Sequence, residues 1–566
     1  MNAQTWARPA AGREPAAAAL LAWLTDPQAP RLCLVTGSKR CGKSQLLAWL
    51  IGHGTRPGTT LERRVHSFVP LSGQTARTAA WAIAEHLSIA ARTPGELIQT
   101  LAADPRRTVI VLPDFHAADG PDGLTELILA LLELDHVRLI VETRSGHPQA
   151  RTLATCSPAQ MDLDEAQWTD SVRYAAWTAE HPDDIPDEHE APRAHPNVDL
   201  NDPSAFCTAD PWSVSALYEH SHDLHGGLRA AWLRAGQSLT REQDHADRAL
   251  VLRAALGDDA DPRHAQSLAE LHAGSTWELA WTRVRGDIRP PWPGPARALA
   301  AGRGQRAGTI LVADHMGTVR AVNEADAAAL GRLPQAKAQP RAIASWPDGT
   351  VLVLDNHGHL HCHKATQPAS TGLHALFDDQ PTPLDHLVQA ASDHLKDTPG
   401  TAMTATGQTI AVADASGAVH AFLPSAETPV PRTSRLHDGT VTALTAVELT
   451  DADGQPSSAL LYSGGADGHV RAWRTDTAPL ASPIISRPCA VTSLSAAHTP
   501  CGLVLAVSWA DALVEHHAFD AGALRRFVPG LPVQAVTLTA AGHLVIGTDQ
   551  ALICLRPTSD KPQQLA

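Results

Sequence analysis

The sequence predicts a multidomain chain: an α/β domain with a parallel sheet, a helical domain, and an all-β propeller of six or seven blades. Three observations carry this. Short apolar runs alternate with helical periods between residues 31 and 177, helical patterns alone fill 208–274, and β-type runs with Asp- or Gly-bearing turns fill the rest. The boundaries read as an N-terminal helical segment at 1–30, the α/β domain at 31–177, an acidic Pro-rich loop at 178–207, the helical domain at 208–274 and the propeller at 275–566.

Taken in order, residues 13–24 read as a short helix ahead of an apolar strand at 31–37. Further strands are expected at 65–71, 108–114 and 137–144, with 160–164 adding one more, and amphipathic helices at 75–87 and 123–135. Apolar strands separated by helices imply a parallel sheet buried on both faces. The stretch 178–206 is rich in Pro, Asp, Glu and His and lacks an apolar period, so it reads as a loop. Helical patterns return at 211–220, 226–239, 240–257 and 261–274. In the third, Thr240 with Asp244 supplies a start signal and Gly257 a stop.

Six units then align, at 308–322, 349–363, 408–422, 459–473, 502–519 and 542–555. Each has an apolar strand, a tight turn and an alternating strand. The turn acids Asp314, Asp355, Asp414, Asp467, Asp511 and Asp549 recur about every 40–60 residues, the spacing of four-stranded propeller blades with some insertions. Residues 386–400 are expected to be an inserted loop, and the strand at 277–286 to close the ring in the last blade. His357, His359, His361 and His363 alternate along one strand beside Cys362. Convergent imidazoles bind zinc. The plainer reading is a solvated strand face in a chain with 30 His.

The fourth unit, LHDGTVTAL (436–444) followed by LYSGGADGHVRAW (461–473), resembles the WD40 family. The resemblance implies that His437 hydrogen-bonds the turn acid Asp467. It places Trp473 where that family has its Trp-Asp dipeptide, although Arg474 follows here. It also implies a protein or peptide ligand on the propeller face.

Residues Gly37, Ser38, Lys39, Arg40, Cys41, Gly42, Lys43 and Ser44 fit G-x-x-x-x-G-K-[ST] at every specified position, after an apolar strand and before a helix. The glycines let the backbone wrap phosphate, the helix N-terminus faces the anion, Lys43 meets the β- and γ-phosphates, and Ser44 is placed for Mg²⁺. Nucleotide, ATP with Mg²⁺, is the expected ligand; no N-K-x-D motif marks GTP. An acid is expected at the end of a neighbouring strand, and Asp114 is the candidate.

This region resembles the signal-transduction ATPases with numerous domains (the STAND class). Their strand often ends Asp-Asp-x-His, where this chain reads Pro113-Asp114-Phe115-His116. Aligned on the His, Asp114 takes the water-orienting position; otherwise it is the Mg²⁺-side acid. Either way one carboxylate is lost, so binding is expected and any hydrolysis is weak. The class also implies a γ-phosphate-sensing Arg after the next strand, here Arg144, and a helix start touching the nucleotide. Residues 210–212 (DPW) and 225–232 (HGGLRAAW) are the two candidates for that start.

A net charge of −15 excludes a general nucleic-acid or anionic-membrane binder. Eight Cys without a C-x-x-C pair suit a reducing cytoplasm, and no run of about 18 apolar residues spans a membrane. No G-x-S-x-G or H-E-x-x-H motif marks another hydrolase. Together these features predict an ATP-dependent regulatory switch whose propeller binds a partner. A non-catalytic scaffold and a hydrolysing ATPase are the alternatives. The short segment ahead of Leu32 leaves output to a partner or to a homo-oligomer.

Overall fold

A computed structural model describes residues 8–56, 58–181, 198–284, 295–334, 338–365, 381–424, 429–450, 456–558 and 563–564. Most of the acidic loop and residues 290–294 lie outside them. The chain divides into two compact units, Met1–Asp199 with Ala209–His222, and Leu200–Thr208 with Asp223–Ala566.

The first unit is built on a five-stranded parallel sheet. Its strands are β1 (Leu32–Thr36), β2 (Ser67–Phe68), β3 (Thr108–Leu112), β4 (Val137–Glu142) and β5 (Ala159–Asp162), in the order β2-β3-β4-β1-β5. Strand side chains alternate between two cores, as period two demands. Leu32, Leu34, Ile110, Leu112, Leu139 and Val141 face one layer, formed by α3 (Ala76–His86), α4 (Pro94–Ala102), α5 (Pro121–Leu132) and α6 (Pro148–Ala154). Cys33, Val35, Val109, Val111 and Ile140 face the other, formed by α1 (Glu14–Thr25) and α2 (Lys43–Gly54). All five expected strands are present. β2 is shorter than 65–71 because it is an edge strand interrupted by Pro70, although the Val69 and Leu71 amides still reach Val111 and Pro113 carbonyls.

Helix α7 (Ser171–Glu180) follows β5, and α9 (Pro211–His220) packs against the start of α3. There Glu219 accepts from Arg77 Nε at 2.6 Å and from the Thr75 hydroxyl.

The second unit holds α8 (Pro203–Thr208), α10 (Leu228–Leu239), α11 (His245–Ala255) and α12 (Pro262–Leu271) beside the β-domain. The start signal moves relative to expectation. Asp244 is the N-cap of α11, accepting from the Asp247 amide at 2.8 Å, while Thr240 ends α10.

The β-domain is a six-bladed propeller. Its inner strands, Ala296–Ala301, Pro340–Ser345, Ala402–Thr406, Val441–Thr450, Val491–Thr499 and Val533–Leu538, each lie beside the next, and the last lies beside the first. Each is the first strand of its own antiparallel sheet. The ring closes as anticipated: β6 (Trp277–Val284) pairs with Ala551–Pro557 as the outer strand of the sixth blade. Among the described residues blade two has three strands, and residues 386–397 are helical rather than a loop. They belong to α13 (Pro383–Asp397), whose Leu384, Leu387, Ala391 and Leu395 pack on Leu352, Leu354 and Val412. A heptad-like apolar spacing and a capping box at Thr382 and Asp385 account for it.

Candidate functional site

The first turn of α2 opens at Gly42, whose φ is +90°. A Cβ there would lie 2.0 Å from the Tyr174 hydroxyl oxygen, so this glycine answers to both a left-handed backbone and a close neighbour. Lys43 is 2 % exposed; its Nζ donates to the Ser38 carbonyl at 2.8 Å and the Gly37 carbonyl at 3.2 Å. Ser44 follows on the same turn, half-buried, while Ser38, Lys39 and Arg40 are exposed. Cys41 lies 3.9 Å from Lys43 Nζ, and burial pushes its thiol up to about 11, so it stays protonated near neutrality.

The sheet order gathers the remaining predicted residues. β4 lies between β1 and β3, so the C-terminal ends of all three meet at the loop, the usual ligand side of an open parallel sheet. Beyond β4, the Thr143 amide donates to the Val35 carbonyl and the Ser145 amide to the Gly37 carbonyl, which fixes half-buried Arg144 beside the loop. Asp114 sits two residues past β3 with φ +58° and is 8 % exposed. Of the two candidate helix starts, Asp210-Pro211-Trp212 opens α9 in the unit of the sheet, and His225 to Trp232 lies in the other unit.

Three groups at this site were not anticipated. Glu142, the last residue of β4, is fully buried. Its Oε2 accepts from the Asp114 amide at 2.7 Å, and its Oε1 lies 3.8 Å from Lys43 Nζ. An acid ending a largely apolar strand was the available signal. Asp164 accepts from the Ser38 amide at 2.7 Å and from its hydroxyl at 2.8 Å, pinning the loop to the end of β5.

The third is Arg13, 1 % exposed, whose guanidinium lies 4.2 Å from the Tyr174 ring centroid and donates to the Leu163 carbonyl at 3.2 Å and to the Thr169 hydroxyl. Its stacking holds Tyr174 over Gly42. Burial lowers the Arg13 pKa, opposed by Tyr174. Burial also raises that of Tyr174.

Ser44 and Asp114 offer hard oxygen donors, which is what Mg²⁺ takes when phosphate completes its shell. Among the described residues no group of three or more His, Cys, Asp or Glu is arranged to hold a metal by itself. Three of the four alternating histidines of blade two serve its turn. Asp355 Oδ1 accepts from the His357 and His359 amides at 2.9 Å each, and His361 Nε2 donates to Oδ2 at 2.8 Å.

The expected blade-four clamp is formed. His437 Nδ1 donates to Asp467 Oδ1 at 3.0 Å, and the Ser463 hydroxyl donates to His437 Nε2 at 2.8 Å. Burial lowers the His437 pKa, only partly offset by Asp467, so the ring is neutral. Trp473 is buried, and its Nε1 donates to the Thr477 carbonyl at 2.9 Å. In blade six the Thr548 hydroxyl accepts from the amides of Gln550 and Ala551 at 3.2 and 2.8 Å.

The inner strands enclose a central channel of about 440 Å³. In five blades a bulge at the second residue of the inner strand (Arg297, Arg341, Thr442, Thr492 and Gln534) turns that side chain toward the same mouth. Thr442 bridges to the Val491 carbonyl at 2.6 Å, tying blade four to blade five. Arg297 and Arg341 are exposed and are the charged members of this set. On the same side, α10 leans on the outer turns: Ser238 donates to the Val528 carbonyl at 2.7 Å and Arg241 to the Asp511 carbonyl at 2.9 Å.

No helix among the described residues is long and apolar enough to cross a membrane. No family model and no curated protein matches the chain. Among solved structures, the crystal structure of the WD40 β-propeller domain of Doa1 aligns with 50% of this chain and 98% of that one, at 10% identity and a TM-score of 0.33.

Proposed function

We propose that this protein is an ATP-dependent regulatory switch whose propeller binds a protein or peptide partner. The observation that carries the nucleotide part is the convergence of Lys43, Asp114 and Arg144 at the adjoining ends of β1, β3 and β4, beside a glycine-shaped helix N-terminus. On this reading the loop amides and Lys43 hold the β- and γ-phosphates, Ser44 and Asp114 face Mg²⁺, and Arg144 reports the γ-phosphate. Mg²⁺ would offset phosphate charge there. A switch needs only different nucleotide affinities in two states, so slow turnover is compatible with it.

For the propeller, the channel mouth is the proposed contact surface. Arg297 and Arg341 favour a partner that brings carboxylates or phosphates to it. α10 beside the turns of blade five, and of blade six through Arg234 Nε to Gln550 Oε1 at 3.2 Å, leaves the remaining blades as the approach.

The test is to titrate Mg-ATP and Mg-ADP into the wild type and Lys43→Ala, following Trp fluorescence and phosphate release together. Saturable binding that Lys43→Ala abolishes, with little release, is expected. Steady turnover would make the protein a working ATPase. Absence of binding by the wild type would leave the propeller as a scaffold without a nucleotide switch.

A further inference from the structure

β3 ends at Leu112 and is followed by Pro113-Asp114, with an imino acid where a first carboxylate is expected. A second carboxylate nevertheless stands at the site, delivered by the neighbouring strand. Glu142 is 0 % exposed, Lys43 2 % and Asp114 8 %. Lys43 and Glu142 form a buried charged pair at the ends of β4 and the loop, with Asp114 joined to it through its backbone amide.

Two independent contacts orient Glu142. The Asp114 amide donates to its Oε2 at 2.7 Å, which fixes the side-chain torsion from the β3 side. Its Oε1 then points to Lys43, 3.8 Å from Nζ. A buried ammonium with a buried carboxylate beside it is poorly prepared to receive a bare anion. Phosphate drawing on the Lys43 charge must share it with Glu142, and in a site this dry the like charges of carboxylate and phosphate repel strongly. A divalent cation arriving with the phosphates removes that penalty.

We propose that Glu142 makes the phosphate loop selective for the magnesium complex of a nucleoside triphosphate over the free nucleotide. This inference rests on the nucleotide reading given above. Glu142 acts here as a positioning and charge-selecting residue: it holds Lys43 and sets the charge that a ligand must balance. An ionised Glu142 sets its negative charge against the Lys43 ammonium at 3.8 Å, so the loop offers a bare anion less positive charge than Lys43 alone would. Glu142→Gln keeps an oxygen for the Asp114 amide and removes that negative charge.

The experiment measures ATP affinity by Trp fluorescence for the wild type, Glu142→Gln and Glu142→Asp, each with excess Mg²⁺ and with chelator. The readout is the ratio of Kd without Mg²⁺ to Kd with it. For Glu142→Gln the ratio is expected to fall at least about tenfold below the wild-type value, chiefly through tighter binding of free ATP. Glu142→Asp keeps the charge and is expected to keep most of the ratio. If the wild type binds and Glu142→Gln shows the same ratio, or if Glu142→Asp behaves like Glu142→Gln, the assignment of Glu142 is overturned and the nucleotide reading stands. If the wild type binds ATP under neither condition, the nucleotide reading itself fails, and this inference with it.

Discussion

Asp414 and His420 stand six residues apart across one propeller turn, and His420 Nε2 donates to Asp414 Oδ2 at 3.1 Å. The other oxygen, Oδ1, accepts from the amides of Ser416 and Ala418 at 2.8 and 3.0 Å. The same arrangement recurs in the first two blades. Asp314 takes the Met316 and Thr318 amides with Arg320 at 3.5 Å, and Asp355 takes His357 and His359 with His361. In all three the glycine comes three residues after the acid. In blade four it follows Asp467 immediately, the acid stands two positions later in a turn of the same length, the His469 amide donates to its Oδ1 at 3.1 Å, and His437 reaches in from the preceding loop. Blade five is similar, with Arg487 reaching Asp511 at 2.8 Å. The five turns are equally long, so the position of the acid within the turn, first in blades one to three and third in blades four and five, decides where its side-chain partner comes from.

The ordering of two substitutions in blade one tests which contacts of the turn acid carry the load. Asp314→Ala strips two buried amides of their acceptor and is expected to cost about 2–3 kcal/mol. Arg320→Ala, which removes a longer and partly exposed contact, is expected to cost about 1 kcal/mol. Urea unfolding measures both, and an Arg320→Ala loss as large as that of Asp314→Ala would refute the assignment of the amides as the main load.

Gly42→Ala is expected to destabilise the α/β unit by about 2–4 kcal/mol, from the left-handed φ and the clash with Tyr174 together. Tyr174→Ala in the same background relieves only the clash. The double variant should therefore unfold at higher denaturant than the additive sum of the two single losses predicts. Strict additivity would mean that Tyr174 does not press on this glycine.

The sheet was legible because its strands are apolar and separated by helical periods. The strand-to-helix loop from Gly37 to Ser44 was legible because its glycines and lysine keep fixed spacing in one stretch of chain. What stayed hidden depends on tertiary placement. Glu142 becomes a site residue only because β4 lies between β1 and β3, which local sequence does not state. Arg13 and Asp164 reach the loop from 24 or more residues away on either side or across the sheet. The propeller clamps of blades one to three were legible in principle, as Asp-x-x-Gly-x-x-Arg or His. They were obscured by the expectation that the partner precedes the blade, as it does for His437.

Gly530 has φ +80°, and a Cβ on it would lie 2.4 Å from the Ala235 carbonyl oxygen of α10. Gly530→Ala is expected to lift α10 from the propeller turn while leaving the blades folded. Hydrogen exchange should accelerate across Leu228–Leu239 and stay unchanged in the inner strands. Exchange that rises equally in both would show that the helix and the ring unfold as one.

Acidification should destabilise both units through buried neutral histidines. His516, 3 % exposed and packed edge-on to Trp277, is pushed down to about 4, first by burial and then by Arg525. In the unfolded chain an imidazole titrates near about 6.5. Between these values the unfolded state holds more protons, so stability falls as pH drops from about 6.5 to about 4, by on the order of 3 kcal/mol for His516. His66 shifts in the same direction, also to about 4, again from burial first. Its Nδ1 accepts the Val109 amide at 3.0 Å, a bond that the protonated ring forfeits. Glu515, held at about 2 by His517 and Arg526 against the cost of its burial, loses its contribution only below its unfolded value near about 4.5, a separate and lower window. Denaturant midpoints at pH 7.5 and 5 should therefore differ in the wild type and differ less in His516→Leu. An unchanged pH dependence in that variant would show that His516 is not a buried neutral base in the folded propeller.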